Sequence, residues 1–323
     1  MPLRSLENPA LVGDVGGTNC RLALASRNAA GGLVLHHSQR FPVADYPHFN
    51  DVVAAYLDTH DVTVSQGAFA FAGPKFDDEI RMTNLNWIVS EQELRSRFAL
   101  SSALVLNDWV AMASGATVIP DDGFEVVIPG KVNYNKPVTV CGPGTGMGVS
   151  FILPGRPPSI VPTEGGHTGF APVGALEMDI LKYWAGKLPF VSAETFISGP
   201  GLERIHEAIC EIEGVDCETL TAAEIVSAAE LTKHSAARRT VTQFCSMLGG
   251  FAGNAAVTQG ASGGVVLGGG VSRHIAPFIA GSEFVSRFRD RGPGTWYVKD
   301  IPVRLIKADF VPLYGAAAMI LNP

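Results

Sequence analysis

The stretch ALVGDVGGTNCRLALA, residues Ala10 to Ala25, decides how the rest of the chain is read. An apolar strand enters the bare, polar tip GDVGGTN, and a second apolar strand, Cys20 to Ala25, leads away from it, the pattern of a β-hairpin. In such a tip glycines let backbone N–H groups approach phosphate oxygens, a threonine hydroxyl adds a donor, and an aspartate at the strand end can hold Mg²⁺ directly or through water. Asp14, Gly16, Gly17, Thr18 and Asn19 are therefore candidate phosphate and metal residues. Taken alone, the segment also fits a plain glycine-rich hairpin. It is not a Walker A loop, because G-x-x-x-x-G-K-[ST] is absent, and not a dinucleotide fingerprint, because a strand rather than a helix follows.

Val138 to Leu153 repeats the design as VTVC, GPGTGMG and VSFIL, with Gly-Thr in both loops. Two such hairpins, about 130 residues apart, suggest an internally duplicated architecture. Gly144, Thr145 and Gly146 would clamp further phosphates. A third cluster, Gly268, Gly269 and Gly270, lies between a buried strand and a helix and offers a flat surface for a base or ribose; as a tight strand-to-helix turn it needs no ligand. ATP is expected between these three clusters.

The surrounding chain reads as α/β. Ser65 to Ala72 and Ser102 to Leu106 are strand candidates, and Ser90 followed by Glu93 is a capping box opening a helix to Phe98. Gly201 to Cys210 and Ala222 to Val257 are helical, the second interrupted at Gly249-Gly250, and Gly315 to Leu321 is helical again.

Of 323 residues, 46% are hydrophobic and 36 are glycine without a three-residue period, which excludes collagen and low-complexity disorder. A chain this long exceeds what one core usually supports, so two domains with a cleft between them are expected. The net charge of −7 argues against general affinity for nucleic acid or an anionic membrane. Cys20, Cys141, Cys210, Cys217 and Cys245 form no C-x-x-C pair and are odd in number, which fits a reducing compartment. No apolar stretch reaches the roughly 18 residues of a membrane span, and the start lacks a long apolar signal segment, so a cytoplasmic protein is expected.

In this order and spacing, LVGDVGGTN, the strand end LND, GPGTGMG, EGGH followed by FAP, SGPGL and VLGGGV resemble the bacterial glucokinase family of the sugar kinase, heat-shock-70 and actin superfold. The resemblance covers nearly the whole chain. It implies a two-lobed actin-like ATPase (ribonuclease H-like) fold, with residues 1–115 as a small α/β lobe completed by a C-terminal helix at 309–323, and residues 116–308 as a large lobe. It implies ATP-dependent phosphorylation of D-glucose to glucose 6-phosphate with Mg²⁺, the metal held by Asp14 through water, and a homodimer.

Asn107-Asp108 ends a strand, where either residue is an ordinary turn former. The resemblance makes Asp108 the catalytic base and has Asn107 hold neighbouring hydroxyls. Glu164 and His167 would otherwise be a surface turn, and a zinc reading there fails for want of nearby partners; Glu194 would be a surface acid on a helix. By resemblance all three hydrogen-bond the sugar. Thr83-Asn84 and Asn86-Trp87 fall where the family places residues near the sugar mouth, with Trp87 equally readable as core, and Arg238-Arg239 reads as a solvated helix face. The C-x-C-G-x-x-G-C zinc motif of the related repressor/open-reading-frame/kinase family is absent, which favours the zinc-free group. A kinase for mannose, fructose or an amino sugar is the alternative within the same chemistry. A sugar-responsive regulator lacks the helix-turn-helix extension and basic lobe it would need.

Overall fold

The hairpin at the start of the chain consists of β1 (Ala10–Val15) and β2 (Asn19–Arg27), paired antiparallel from Ala10 opposite Ala25 to Val15 opposite Cys20. Leu11, Val12, Leu22, Ala23 and Leu24 are all fully buried, so both faces of this sheet must be covered. The structure, a computed structural model, describes residues 8–82, 85–232 and 235–321. Thr83 and Asn84 lie outside the described residues.

β3 (Leu33–Pro42) extends the hairpin, and after α1 (Phe49–His60) the chain returns as β4 (Gln66–Phe71), parallel to β1. A small antiparallel sheet of β5 (Lys75–Phe76), β6 (Glu79–Arg81) and β7 (Ile88–Ser90) precedes α2 (Glu91–Phe98), β8 (Ser102–Asn107) and α3 (Asp108–Ala116). The main sheet has the order β3-β2-β1-β4-β8.

The capping box expected at Ser90 is half formed. Ser90 Oγ accepts from the N–H groups of Gln92 and Glu93, but the Glu93 carboxylate accepts from the Asn50 amide instead of reaching back to the cap. A tertiary partner from α1 outcompetes the local one.

The chain continues through β9 (Phe124–Ile128), β10 (Val138–Pro143), β11 (Met147–Leu153) and β12 (Ser159–Thr163). The helices α4 (Gly174–Ala185), α5 (Ala193–Phe196), α6 (Gly199–Glu213), α7 (Ala222–Leu231) and α8 (Ala236–Thr258) come next. β13 (Gly264–Leu267), α9 (Gly270–Ile279), α10 (Phe284–Arg289), α11 (Thr295–Val298) and β14 (Val303–Ile306) lead to the last helix, α12 (Val311–Leu321). This second sheet has the order β12-β11-β10-β13-β14-β9. Its first five strands repeat the order and the parallel and antiparallel pairings of the first sheet, and β9 is an added antiparallel edge. The duplication suggested by two similar hairpins is thus a duplication of whole sheets.

Two compact units result, one of Met1–Asp121 with Ala308–Pro323 and one of Asp122–Lys307. In the first, Phe49 packs edge-on to Phe69 and Phe71 on one face of the sheet, and Trp87 is buried in that cluster. The other face is alanine-rich (Ala10, Ala23, Ala68, Ala70), which lets α12 lie close against it through Leu313, Ala316 and Ala317. In the second unit the core is built on Phe196, Phe244, Phe278, Phe284 and Phe288.

Gly249-Gly250 does not interrupt α8. A Cβ on Gly249 would stand 2.3 Å from the Phe284 carbonyl oxygen, and one on Gly253 2.5 Å from that of Phe288, so these glycines exist to let α10 approach. Nor is Arg238-Arg239 a merely solvated face. Arg238 lies over the Phe278 ring, 4.7 Å from its centroid, and donates to the Ala229 carbonyl, and Arg239 pairs with Glu213. Among the described residues no helix is long and apolar enough to cross a membrane, and all five cysteines are free thiols.

Candidate active site

In the first unit, the β1–β2 tip is closed by the Gly16 N–H donating to the Asn19 carbonyl at 2.9 Å. A Cβ on Gly16 would meet nothing nearer than 3.7 Å, so its backbone is bare toward open space. The Asn19 side chain is engaged elsewhere, its carboxamide oxygen accepting from Arg40 Nε at 2.7 Å.

Asp14 keeps some exposed surface, yet its carboxyl is surrounded by protein and accepts no hydrogen bond among the described residues. Burial pushes its pKa up to about 6, against the opposing pull of Arg21. A carboxylate left without hydrogen-bond donors beside a bare phosphate-type loop has the hard-oxygen chemistry of a Mg²⁺ partner, so the residues fit the metal.

Also in this unit, the LND segment turns from β8 into α3. Asn107 Oδ1 accepts from the N–H groups of Trp109 at 3.0 Å and Val110 at 3.4 Å, and its amide donates to the Gly73 carbonyl at 3.1 Å. Asn107 is therefore a helix cap and a loop tie, with one amide hydrogen uncommitted among the described residues. Asp108 is the first residue of α3, and its Oδ1 accepts from the Trp109 N–H at 3.0 Å.

In the second unit the Gly144 N–H donates to the Gly146 carbonyl, and the Gly199 N–H at the start of α6 donates to the Gly144 carbonyl, both at 2.8 Å. Gly144 has no heavy atom within 4 Å of where its Cβ would be, and neither has Gly270; Thr145 is exposed. Gly142 and Gly269 are different. A Cβ on Gly142 would lie 2.0 Å from the Gly268 carbonyl oxygen and one on Gly269, at φ +88°, 2.3 Å from that of Pro143. The second and third glycine clusters thus pack against each other and form one continuous surface. Gly142 and Gly269 are thus bare so that two backbones can touch.

Gly165–His167 forms a single 3₁₀ turn seated on β11, where a Cβ on Gly166 would be 2.1 Å from the Met147 carbonyl oxygen. The chain beyond it runs beside the entry to α5, with the Phe170 N–H donating to Val191 O and the Ala193 N–H to Thr168 O. A Ser192–Thr195 capping box starts α5 and aims Glu194 back at the turn. His167 Nε2 then lies 3.8 Å from Glu164 Oε2, and His167 Nδ1 lies 4.0 Å from Glu194 Oε1. Glu164, His167 and Glu194 are brought together, with the first two largely exposed.

Glu194 Oε2 also accepts a 2.7 Å hydrogen bond from the Met147 N–H. Met147 is the residue that sequence reasoning missed, because it acts through its backbone and a backbone role leaves no side-chain signal. A cavity of about 540 Å³ behind the turn, walled by Gly165, Thr168, Arg287 and Arg291, includes none of the three polar side chains.

The sequence profile of the family described as Glucokinase matches residues 11–323. The chain belongs to the glucokinase family. A glucokinase of Saccharophagus degradans is 34% identical over 314 residues, 97% of this chain and 98% of that protein. A crystal structure described as glucokinase from an Antarctic psychrotroph has a TM-score of 0.89 at 33% identity, covering 98% of this chain and all of that one. A ROK family glucokinase from Streptomyces griseus, in complex with glucose and AMPPNP, is 17% identical with a TM-score of 0.68 over 98% of this chain and 100% of that chain, and shares the fold. The duplicated sheets of this glucokinase-family chain are therefore those of the two-lobed actin-like ATPase fold.

Proposed function

We propose that the chain transfers the γ-phosphoryl group of ATP to the 6-hydroxyl of D-glucose, yielding glucose 6-phosphate and ADP. One observation carries this reading: Glu194, gathered with Glu164 and His167 as a set of hydroxyl acceptors, is hydrogen-bonded to the backbone of the glycine loop suited to phosphates. An actin-like ATPase without a small polyol substrate has no use for that set.

In the proposed mechanism Glu164, His167 and Glu194 fix the sugar through its hydroxyls, and Asn107 offers its remaining amide hydrogen to another. Asp108 accepts the proton of the 6-hydroxyl as the new O–P bond forms and the bond to the ADP oxygen breaks. Bare N–H groups at Gly16–Thr18 and Gly144–Gly146 cradle the phosphates, and Gly268–Gly270 takes the adenosine side. Mg²⁺ accompanying ATP would be held by Asp14 through water and would screen the phosphate charge.

A set of carboxylates paired with hydroxyls strongly rejects analogues lacking them. The test is ADP release with Mg-ATP across a panel of hexoses, with the highest kcat/KM expected for D-glucose; a wide preference for mannose, fructose or an amino sugar overturns the substrate and leaves the phosphoryl-transfer reading in place. Five free thiols support a cytoplasmic location. The family resemblance supports a homodimer, which sedimentation would test.

A further inference from the structure

We infer that His206, Cys210 and Cys217 form a binding site for one Zn²⁺-class cation, separate from the phosphoryl-transfer residues. His206 and Cys210 are one turn apart on α6 and so share a face. Gly214, in the left-handed conformation at φ +63°, ends the helix and reverses the chain, and the loop beyond it returns Cys217 to that same face. One ligand atom from each residue lies within 4.8 Å of the other two.

The spacing suits a metal. His206 Nε2 and Cys210 Sγ are 3.8 Å apart. Ligand bonds of about 2.3 Å to sulfur and 2.05 Å to nitrogen at the tetrahedral angle place the two atoms about 3.6 Å apart, so only a small adjustment is needed. Cys217 is exposed and gives the ion an entry path, and water would take the fourth position.

The second observation is the orientation of the imidazole. Thr240 Oγ1 lies 2.9 Å from the Ala236 carbonyl oxygen and 3.2 Å from His206 Nδ1, so when it donates to the carbonyl it accepts from the imidazole. That arrangement puts the His206 proton on Nδ1 and turns the lone pair of Nε2 toward the sulfur of Cys210. A metal-bound imidazole donates its other N–H to an acceptor, most often a carboxylate, a backbone carbonyl or water, and here the Thr240 hydroxyl stands in that place. Two thiols and an imidazole select a borderline-soft ion and discriminate against Mg²⁺ and Ca²⁺. On binding, each sulfur forms its bond to the metal as its S–H proton leaves to solvent, two protons per ion.

The site is invisible to a C-x-x-C search because half of it comes from helical spacing and half from the chain reversal at Gly214. The ion would fasten the loop after α6 to that helix and, through Thr240, to α8.

The test uses full-length protein, reduced and stripped of metal, titrated with Co²⁺ and then Zn²⁺. The expected result is one Co²⁺ per chain with a thiolate-to-cobalt charge-transfer band, displaced by Zn²⁺, which also raises Tm. Cys217→Ser, at an exposed position, should weaken binding by about tenfold or more, and Thr240→Val by about 10- to 100-fold, with Thr240→Ser restoring it. The absence of a charge-transfer band, an unchanged affinity in Cys217→Ser, or formation of a Cys210–Cys217 disulfide in a chain that takes up no metal would each overturn the assignment.

Discussion

The carboxylate of Glu194, at the start of α5, accepts a 2.7 Å hydrogen bond from the backbone N–H of Met147, the first residue of β11. Met147 closes the Gly144–Gly146 loop, and the same carboxylate stands 4.0 Å from His167 Nδ1. A Cβ at position 146 would come within 2.4 Å of Glu194 Oε2, so the bareness of Gly146 is what lets the acid reach the loop. The residue proposed to hold sugar is thereby locked to the segment proposed to hold phosphate.

Glu194→Gln keeps an acceptor for Met147 and removes the charge. KM for glucose should rise about 10- to 100-fold, the scale of a charge-assisted hydrogen bond worth ~1.5–3 kcal/mol. Gly146→Ala should act in the same direction without unfolding the protein, because the atom it meets is the free end of a side chain. Steady-state kinetics with circular dichroism as a folding control checks both, and unchanged KM values would separate Glu194 from the sugar.

Asp108→Asn keeps the shape of the α3 N-terminus and removes the proton acceptor. Turnover should fall about 10²- to 10⁴-fold, while glucose binding measured by calorimetry stays unchanged. Retained turnover would assign the base elsewhere.

Asp14 couples stability to pH. Burial raises its pKa from 3.8 to about 6, so between these values the unfolded chain ionises before the folded one and the contribution of this group to stability falls as pH rises. Asp14→Asn should therefore raise the Tm of the ligand-free protein at pH 8, by at most about 3 kcal/mol in stability, and leave it unchanged near pH 3. The same variant should lose Mg-ATP turnover. Thermal melts at the two pH values decide it, and a lower Tm at pH 8 would mean that the folded state favours the charged carboxylate.

α3, which begins at Asp108, is set against α12 by a pair of glycines. A Cβ on Gly315 would lie 1.8 Å from the Ala111 carbonyl oxygen and one on Gly115 2.1 Å from that of Val311, and Ser114 Oγ donates to the Gly315 carbonyl at 3.1 Å. Gly315→Ala must part the helices, and overpacking of this kind costs about 1–3 kcal/mol. The urea midpoint should fall with an unchanged slope; an unaltered midpoint would show that the helices separate freely.

The hairpins, the alternation of strands and helices, and Asp14 as a candidate were legible in the sequence, because each depends on residue type and local spacing, whereas Asp108, Glu164, His167 and Glu194 became candidates only through the family resemblance. The repeat of strand, glycine loop and strand was legible too, since a period in sequence survives without coordinates. Tertiary structure alone decided which glycines stand open to space and which serve packing. Gly16, Gly144 and Gly270 open to space, while Gly142, Gly249, Gly269 and Gly315 each admit a carbonyl from a distant segment. It also decided that Glu93 answers Asn50 instead of Ser90, that Met147 holds Glu194, and that His206 and Cys210 meet Cys217. The physical reason is common to all of these. A bare Cα, a backbone N–H and a lone thiol carry no signal of their own, and their use depends on which remote atom the fold brings within about 4 Å.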